Sequence, residues 1–357
     1  MPFRDLIDFS DIPAGEWDEL CSLARSIRRS PHRYSSACAG KILATLFYEP
    51  STRTQLSFQA AMQKLGGTVI GFSDPNVSSV SKGETLRDTI KIVSTYADVA
   101  VMRNPVEGAA YAASLYCRVP LINAGDGGHL HPTQTMADMF TISDEKGRCD
   151  NLSIGMCGDL KNGRTVHSLS KALSSHHGNT FYLISTAELE MPEFSVRLLS
   201  SGDNRVVFCR TIDECIDKLD VLYMTRIQRE RFASESDYRS QAGIYVLDSD
   251  KMSRAKKDLS VLHPLPKVDE ITYEVDDDER ARYFEQAENA LYLRMALILT
   301  LCENYPQKTG FREIPTRPAA ARYCSNPMCV SNHERYLPEL TFEKDGKRYC
   351  RYCEHEC

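Results

Sequence analysis

Short apolar runs alternate with longer amphipathic stretches from about residue 40 onward. The first run, Lys41–Tyr48, precedes a stretch of helical periodicity, Thr54–Leu65, that ends at two glycines. A short apolar run indicates a buried strand, and glycine after the last turn is a common helix end. The alternation continues, with strands predicted at Thr68–Phe72, Val99–Met102, Val119–Asn123, Leu152–Cys157, Thr180–Ser185, Val221–Thr225 and Ser260–Leu262, and helices at Glu84–Tyr96 and Thr165–Ser175.

Strands that alternate with helices predict an α/β fold with parallel sheets. The pattern divides into two sets of elements, at residues 1–147 and 150–285, joined by a helix from Pro132 to about Lys146. We therefore expect two domains, each a parallel sheet flanked by helices.

The C-terminal part of the chain follows both sets. An apolar helix, Asn289–Tyr305, is expected to complete the first domain within residues 287–305. Three prolines then indicate a linker at 306–322, because proline removes a backbone donor and fixes φ. Residues 323–357 are predicted to form a small β-rich module.

Composition narrows the class of protein. The chain has 357 residues, 42% hydrophobic and 26% charged, which is ordinary for globular domains. The net charge of -6 argues against nucleic acid or an anionic membrane as a main partner. With no run of 18 apolar residues and no signal-peptide pattern at the N-terminus, we expect a cytoplasmic protein.

A candidate anion site lies where the first strand meets the first helix, in the segment Ser51-Thr52-Arg53-Thr54. Free backbone N–H groups and the positive end of the helix dipole attract an anion, and Arg53 can add a bidentate bond. Simple capping of the helix by Ser51 or Thr52 is the alternative.

Three further polar residues follow predicted strands. Arg103 comes at the end of one strand, and His131 and Gln134 lie where a glycine-rich loop enters a helix. Ligands of open parallel sheets bind at the carboxyl ends of the strands, so these residues could converge on the same anion. A surface arginine and a capping or core histidine are the alternatives.

These motifs resemble the carbamoyl phosphate site of the transcarbamylase family, and the match extends in order over nearly all of residues 1–305. The resemblance implies that Ser51, Thr52, Arg53 and Thr54 hold the phosphate together with Arg103. It further implies that Gln134 binds the carbamoyl amide and that Thr54, Arg103 and His131 polarise the carbonyl oxygen.

The second half resembles the aspartate-specific branch of that family. Arg164 and Arg226 suit a dicarboxylic acid, because guanidinium groups pair with carboxylates bidentately. By resemblance Gln228 assists them and the carbonyl of Leu265 contacts the amine. Ornithine carbamoyltransferases carry a cysteine after the histidine and a Ser-Met-Gly loop, whereas this chain has Pro264 and no such loop.

The segment Ser78–Lys82 precedes a predicted helix and has the composition of a mobile loop. In the family the matching serine and lysine reach into a neighbouring subunit's active site. Ser78 and Lys82, which is also expected to contact aspartate, are therefore candidate site residues, and a homotrimer with shared sites is predicted. An exposed loop lysine is the alternative reading.

Several positions match or depart from the family pattern. Glu49, Arg231 and Asp237 match residues that tie the two domains or a closing loop through ion pairs, although ordinary surface charge is equally consistent with them. Gln55 and Gln59, one turn apart, stand where many members have arginine and glutamate, and an amide pair can still hydrogen-bond. Asn162 replaces an aromatic residue of some bacterial relatives.

Four cysteines near the C-terminus have the spacing of a structural zinc site. Cys324 and Cys329 are followed after 20 residues by Cys350 and Cys353, which gives two knuckles able to form a tetrahedral thiolate shell. Chance thiols and disulfides are the alternatives, and a reducing compartment disfavours the latter. The balanced charge of residues 318–357 argues against a nucleic-acid-binding ribbon.

The same segment resembles the zinc domain of the regulatory chain found with bacterial aspartate carbamoyltransferases. The nucleotide-binding domain that normally precedes that domain is missing, because the linker is too short to contain it. We therefore expect one structural zinc per chain and no response to nucleotide effectors.

The resemblance implies transfer of a carbamoyl group from carbamoyl phosphate to L-aspartate, an early step of pyrimidine biosynthesis. Attack of an amine on an activated carbonyl requires no enzyme nucleophile and no catalytic cofactor. Two alternatives stay open, a carbamoyltransferase for another amino acid of the ornithine type and an inactive zinc-containing scaffold.

Overall fold

The computed structural model describes residues 4–77, 79–228, 232, 234–241, 243–305, 324–344 and 346–357. The chain divides into two compact units. The first unit consists of residues 1–133 and 290–357, and the second of residues 134–289. The predicted domain limits stay a prediction, and the predicted linker lies outside the described residues.

The predicted parallel sheets are confirmed, one in each unit. In the first unit all neighbouring strands run parallel in the order β2-β1-β3-β4, and in the second in the order β7-β6-β5-β8-β9. The strands are β1 Ile42–Phe47, β2 Thr68–Phe72, β3 Val99–Asn104, β4 Leu121–Asp126, β5 Ser153–Cys157, β6 Thr180–Ile184, β7 Arg205–Cys209, β8 Val221–Met224 and β9 Ser260–Leu262.

Helices flank both sheets, and they include several that the hydrophobic pattern did not single out. None of the helices in the described part of the chain has the length and apolar character needed to cross a membrane. The helices are α1 Ala14–Arg29, α2 Thr52–Lys64, α3 Leu86–Tyr96, α4 Ala109–Tyr116, α5 Pro132–Lys146, α6 Arg164–Leu173, α7 Glu193–Leu199, α8 Glu235–Gln241, α9 Ser249–Arg254, α10 Tyr283–Asn304 and α11 Val330–His333.

The segment 324–357, called the tail module below, has its own small antiparallel sheet, as predicted. Its strands are β10 Thr341–Lys344 and β11 Lys347–Cys350. Its buried side chains, among them Val330, Leu337 and Tyr352, belong to one apolar cluster with Leu86 of α3 and residues of α4. The tail module therefore packs against the first unit of its own chain.

The sheets determine where the predicted site residues lie. Because parallel strands end at the same edge, β1 delivers Ser51 and β3 delivers Arg103 to neighbouring positions, with Phe47 in register with Arg103. In the second unit β8 leads into Arg226 and β9 into the loop that starts at His263. Each unit thus presents its candidate residues along one sheet edge.

Candidate active site and candidate metal site

Helix α2 begins without a side-chain cap. Ser51 occupies the N-cap position at φ -153° and ψ 78°, yet its hydroxyl makes no capping hydrogen bond. The carbonyl of Ser51 accepts the first intrahelical bond from the Gln55 N–H at 3.0 Å. The Ser51 side chain therefore leaves the N–H groups of the first turn to another acceptor, and the capping alternative is not supported.

Arg53 and Thr54 lie in that first turn. Arg53 is exposed, whereas Thr54 is buried. The exposed guanidinium and the helix N-terminus both provide donors and positive charge, which suits a multiply charged oxyanion.

Contacts within the first unit hold Arg103 in place. Its Nε donates to Oε1 of Glu49 at 2.7 Å, and its Nη1 donates to the Ala124 carbonyl at 3.3 Å. The same Nη1 lies 3.3 Å from Nε2 of His131. Because guanidinium nitrogens only donate, Nε2 of the neutral His131 ring is the acceptor in this contact.

The backbone beside this pair requires glycine. Gly125 has φ +120°, and a Cβ there would lie 3.3 Å from Nη1 of Arg103 and 3.5 Å from the ring of His131. A side chain would be strained by the φ angle and would crowd both groups. The predicted grouping of Arg103 with His131 is therefore present, and Glu49 holds Arg103 rather than lying as a free surface charge.

Gln134 lies on α5 and contacts a buried carboxylate that sequence reasoning missed. Its Nε2 donates to Oδ1 of Asp138 at 2.8 Å. Asp138 also accepts from Nε2 of Gln286 at 2.5 Å and from the hydroxyl of Tyr223 at 2.9 Å. Burial raises the pKa of Asp138 to about 7, although the three donors favour the ionised form.

Of the five predicted aspartate-binding residues, Lys82 lies in the first unit and the other four lie in the second. Arg164 is the first residue of α6, and Arg226 and Gln228 follow β8, all three partly buried. The backbone N–H of Gln228 donates to Oδ2 of Asp159 at 3.4 Å, and Asn162 donates to the same carboxylate. Asp159 thus ties the loop before α6 to the segment after β8.

Leu265 lies in a loop with a defined conformation. Its φ is +52°, and its N–H donates to Nδ1 of His263 at 2.7 Å. Nε2 of the buried His263 lies 2.7 Å from Oε1 of Glu270. Since Nδ1 accepts, Nε2 carries the proton and donates to Glu270, which fixes the orientation of the ring.

Lys82 is exposed at the end of a short 3-10 helix, Ser79–Lys82, shortly before α3. Ser78 and Arg231 lie outside the described residues. Asp237 is part of α8, but its side chain is outside the described part.

The four predicted zinc ligands come together. The sulfur atoms of Cys324, Cys329, Cys350 and Cys353 all lie within 4.8 Å of one another. The Sγ atoms of Cys324 and Cys353 are 3.6 Å apart, and those of Cys329 and Cys350 are 3.7 Å apart. A tetrahedron with zinc–sulfur bonds of about 2.3 Å has edges of about 3.8 Å, so the thiols fit a zinc ion.

The thiols interact with one another directly. Hydrogen bonds from Cys329 and then from Cys353 lower the pKa of Cys350. None of the thirteen cysteines of the chain, all of them among the described residues, forms a disulfide. The disulfide alternative for the tail module therefore finds no support.

The polar contacts of the tail module with the rest of the first unit include two groups. In the first, Glu107 pairs through its backbone with Met328 and Val330 at 3.0 and 2.9 Å, and its carboxylate accepts from Asn326 at 2.6 Å. In the second, the N–H of Leu86 donates to Oε1 of Glu334 at 3.0 Å. The N–H of Arg87 donates to the hydroxyl of Tyr336 at 2.8 Å.

Comparison with known proteins identifies relatives over most of the chain. The family described as aspartate/ornithine carbamoyltransferase matches with its carbamoyl-P binding domain at residues 4–144 and its Asp/Orn binding domain at residues 150–301. An aspartate carbamoyltransferase catalytic subunit of Clostridium perfringens is 56% identical over 299 residues, which cover 84% of this chain and 97% of that protein. The corresponding protein of Clostridium acetobutylicum is 55% identical with the same coverage.

Solved structures give the same result. The catalytic subunit of M. jannaschii aspartate transcarbamoylase has a TM-score of 0.79 and 45% identity, covering 84% of this chain and 98% of that one. Aspartate transcarbamoylase from Trypanosoma cruzi in complex with carbamoyl aspartate and phosphate has a TM-score of 0.79 and 36% identity, with coverage of 84% and 96%. The tail module lies beyond the residues matched by the two family domains.

Proposed function

The chain belongs to the aspartate/ornithine carbamoyltransferase family, and from this membership we propose that it transfers the carbamoyl group of carbamoyl phosphate to L-aspartate. The products are N-carbamoyl-L-aspartate and phosphate, and the reaction serves pyrimidine biosynthesis. A relative named aspartate carbamoyltransferase catalytic subunit, at 56% identity, supports this choice within the family.

The uncapped start of α2 is the observation that carries the phosphate part of the proposal. Ser51 lies at the N-cap without capping the helix, so the N–H groups of Thr52, Arg53 and Thr54 can bind phosphate oxygens. Arg53 adds an exposed guanidinium to the same turn. We place the phosphate of carbamoyl phosphate there.

The pair of Arg103 and His131 supports activation of the carbonyl. The amine of aspartate attacks the carbonyl carbon and negative charge develops on the carbonyl oxygen; the carbon–oxygen bond to phosphate then breaks, and the proton lost by the amine passes to the departing phosphate. Arg103 is a permanent donor held by Glu49 at 2.7 Å, and His131 lies beside it. Donors aimed at such an oxygen contribute about 3–4 kcal/mol each, and holding two substrates in line contributes about 7–11 kcal/mol.

Aspartate, rather than ornithine, is the proposed acceptor. Arg164 and Arg226 offer two guanidinium groups for two carboxylates, and Gln228 and the Leu265 carbonyl complete the predicted contacts. Parallel assays with the two amino acids test this choice and also the inactive-scaffold alternative. Faster turnover with ornithine would contradict the choice of aspartate, and no turnover with either amino acid would favour a scaffold. The Arg226→Ala variant should raise KM for aspartate far more than KM for carbamoyl phosphate.

We also propose a homotrimer in which Ser78 and Lys82 complete a neighbour's site. The position of Lys82 near the start of α3 supports this, because the residue is exposed within one chain. Mixing Lys82→Ala with Arg53→Ala protein during reassembly should restore activity. If the mixture stays inactive while wild type recovers, each site lies within one chain.

The four thiols are proposed to hold one structural zinc. Cys324, Cys329, Cys350 and Cys353 would fill all four positions, so the ion would supply folding free energy to the tail module rather than take part in the reaction. None of the thirteen cysteines forms a disulfide, which supports a reducing compartment, and we propose the cytoplasm.

A further inference from the structure

A continuous set of hydrogen bonds joins Gln134 to the Leu265 loop inside the second unit. Nε2 of Gln134 and Nε2 of Gln286 both donate to Oδ1 of Asp138, at 2.8 and 2.5 Å. Oε1 of Gln286 accepts from the backbone N–H of His263 at 2.9 Å. The ring of His263 in turn accepts from the N–H of Leu265 at 2.7 Å.

Every member between the two ends is buried. Asp138 has no exposed surface, Gln286 is 1% exposed and His263 is 2% exposed. Buried polar groups that are fully hydrogen-bonded have little freedom to move, because any displacement leaves a donor or acceptor unsatisfied. The set is therefore rigid.

Asp138 determines which end of the Gln134 amide faces outward. Oδ1 of Asp138 accepts from both glutamines, and it stays an acceptor when a proton is bound at Oδ2, so the NH₂ group of Gln134 must point toward Asp138. The amide oxygen of Gln134 is then left for a donor. The carbamoyl group of carbamoyl phosphate has such a donor in its NH₂.

Asp138 orients the side-chain amide of Gln286 in the same way. Its NH₂ is used by Asp138, so its oxygen faces the N–H of His263 and holds the start of the loop. Glu270 holds the opposite side of the His263 ring at 2.7 Å. The ring can then accept from Leu265, whose φ of +52° directs the loop.

We propose that Asp138 and Gln286 are positioning residues for both substrates. Asp138 presents the Gln134 oxygen as an acceptor for the carbamoyl NH₂, and Gln286 sets the Leu265 carbonyl for the aspartate amine through His263. This inference rests on the proposed function for the identity of the substrates. The hydrogen-bond geometry that it invokes is independent of that function.

Three variants of the full-length protein separate positioning from simple structural support. Asp138→Asn keeps an oxygen for the two glutamines, and its NH₂ can donate to the Tyr223 hydroxyl, so near-wild-type kinetics are expected. Asp138→Leu removes every acceptor and should raise KM for both substrates roughly tenfold, a change on the scale of one lost buried hydrogen bond. Gln286→Met should raise KM for aspartate more than KM for carbamoyl phosphate.

The split between kcat and KM distinguishes the roles. If the network only supports folding, Asp138→Leu and Gln286→Met should lower the active fraction and therefore kcat, with both KM values unchanged. That result would overturn the proposal, as would a raised KM in Asp138→Asn equal to that in Asp138→Leu.

Hydrogen exchange of backbone amides tests the role of Gln286 without a measurement of turnover. The amides of His263 and Leu265 should be protected in wild type and in Asp138→Asn, and should exchange at least tenfold faster in Gln286→Met. Equal protection in all three proteins would overturn the proposed role of Gln286. If wild type makes no carbamoyl aspartate, the proposed function fails, and the exchange rates still decide whether Gln286 positions the loop.

Discussion

Gly108 is the position where one added methyl group should release the tail module. It has φ +79°, and a Cβ there would lie 2.5 Å from the backbone oxygen of Tyr352. The left-handed backbone costs about 1–2 kcal/mol for any other residue. Moving Tyr352, which is 2% exposed, adds about 1.5–3 kcal/mol of lost apolar burial. Gly108→Ala should therefore destabilise the folded protein by about 2.5–5 kcal/mol, of which about 1.5–3 kcal/mol falls on the docking of the tail module.

Gly40→Ala is the matched control. Gly40 lies in the same unit at φ +77° and has no atom within 4 Å of an added Cβ. It should show only the backbone cost of about 1–2 kcal/mol. Urea unfolding gives the two free energies, and limited proteolysis together with zinc transfer to a chromogenic chelator reports the tail module. If the tail module of Gly108→Ala is no more sensitive than that of Gly40→Ala, the close packing of Gly108 on Tyr352 is not what holds the tail module in place.

Three further outcomes are expected. Ser51→Ala should change the free energy of unfolding by less than about 0.5 kcal/mol, because the Ser51 hydroxyl does not cap α2. The same variant should raise KM for carbamoyl phosphate. A loss of about 1 kcal/mol in the free energy of unfolding would mean that Ser51 does cap α2. Asp138→Asn should become more stable relative to wild type as pH rises from about 4 to about 7. Because the pKa of Asp138 is raised to about 7 in the folded protein, the acid stays protonated there over this range, whereas it ionises in the unfolded chain. The free energy of unfolding of wild type should therefore fall by up to about 4 kcal/mol over that range. A free-energy difference that does not change with pH would contradict this pKa. Cys350→Ser should abolish the one zinc per chain found by elemental analysis and lower the thermal midpoint, while the catalytic reaction persists; wild type without zinc would refute the metal site.

Sequence periodicity predicted eight of the nine strands of the two parallel sheets and missed β7. The predicted Thr68–Phe72 and Ser260–Leu262 match β2 and β9 residue for residue. Strand β7 lies at the edge of its sheet and exposes Val207 and Phe208, but β2 is also an edge strand and exposes Ile70, so exposure alone does not explain why β7 was missed. Helix α10 starts at Tyr283, six residues before its predicted start at Asn289, because its first turns mix charged with apolar residues.

The candidate site residues also include some that the sequence could predict and one that it could not. Arg103 and His131 were predictable because strand ends and helix starts place them along one edge. Asp138 could not be predicted, although it lies one turn after Gln134. Its partners Gln286 and Tyr223 are 148 and 85 residues away along the chain. Spacing along the chain shows which residues share a helix face, but it does not show which distant residues meet there.

The same distinction applies to the tail module. Cysteine spacing predicted the ligand set because two short knuckles bring the thiols together. Nothing in that spacing indicates that Glu334 and Tyr336 contact the N–H groups of α3, which lie 248 and 249 residues earlier in the chain.

Those two contacts make the N-terminus of α3 a poorer site for an anion than the N-terminus of α2. At α3 the N–H groups of Leu86, Arg87 and Asp88 are all bonded, to Glu334, Tyr336 and the side chain of Thr85. A carboxylate already occupies the positive end of that helix, so a second anion would meet repulsion there and no spare donor. Sulfate or phosphate soaked into crystals should therefore bind at α2 and leave α3 empty. Loss of the tail module would expose a competing anion site.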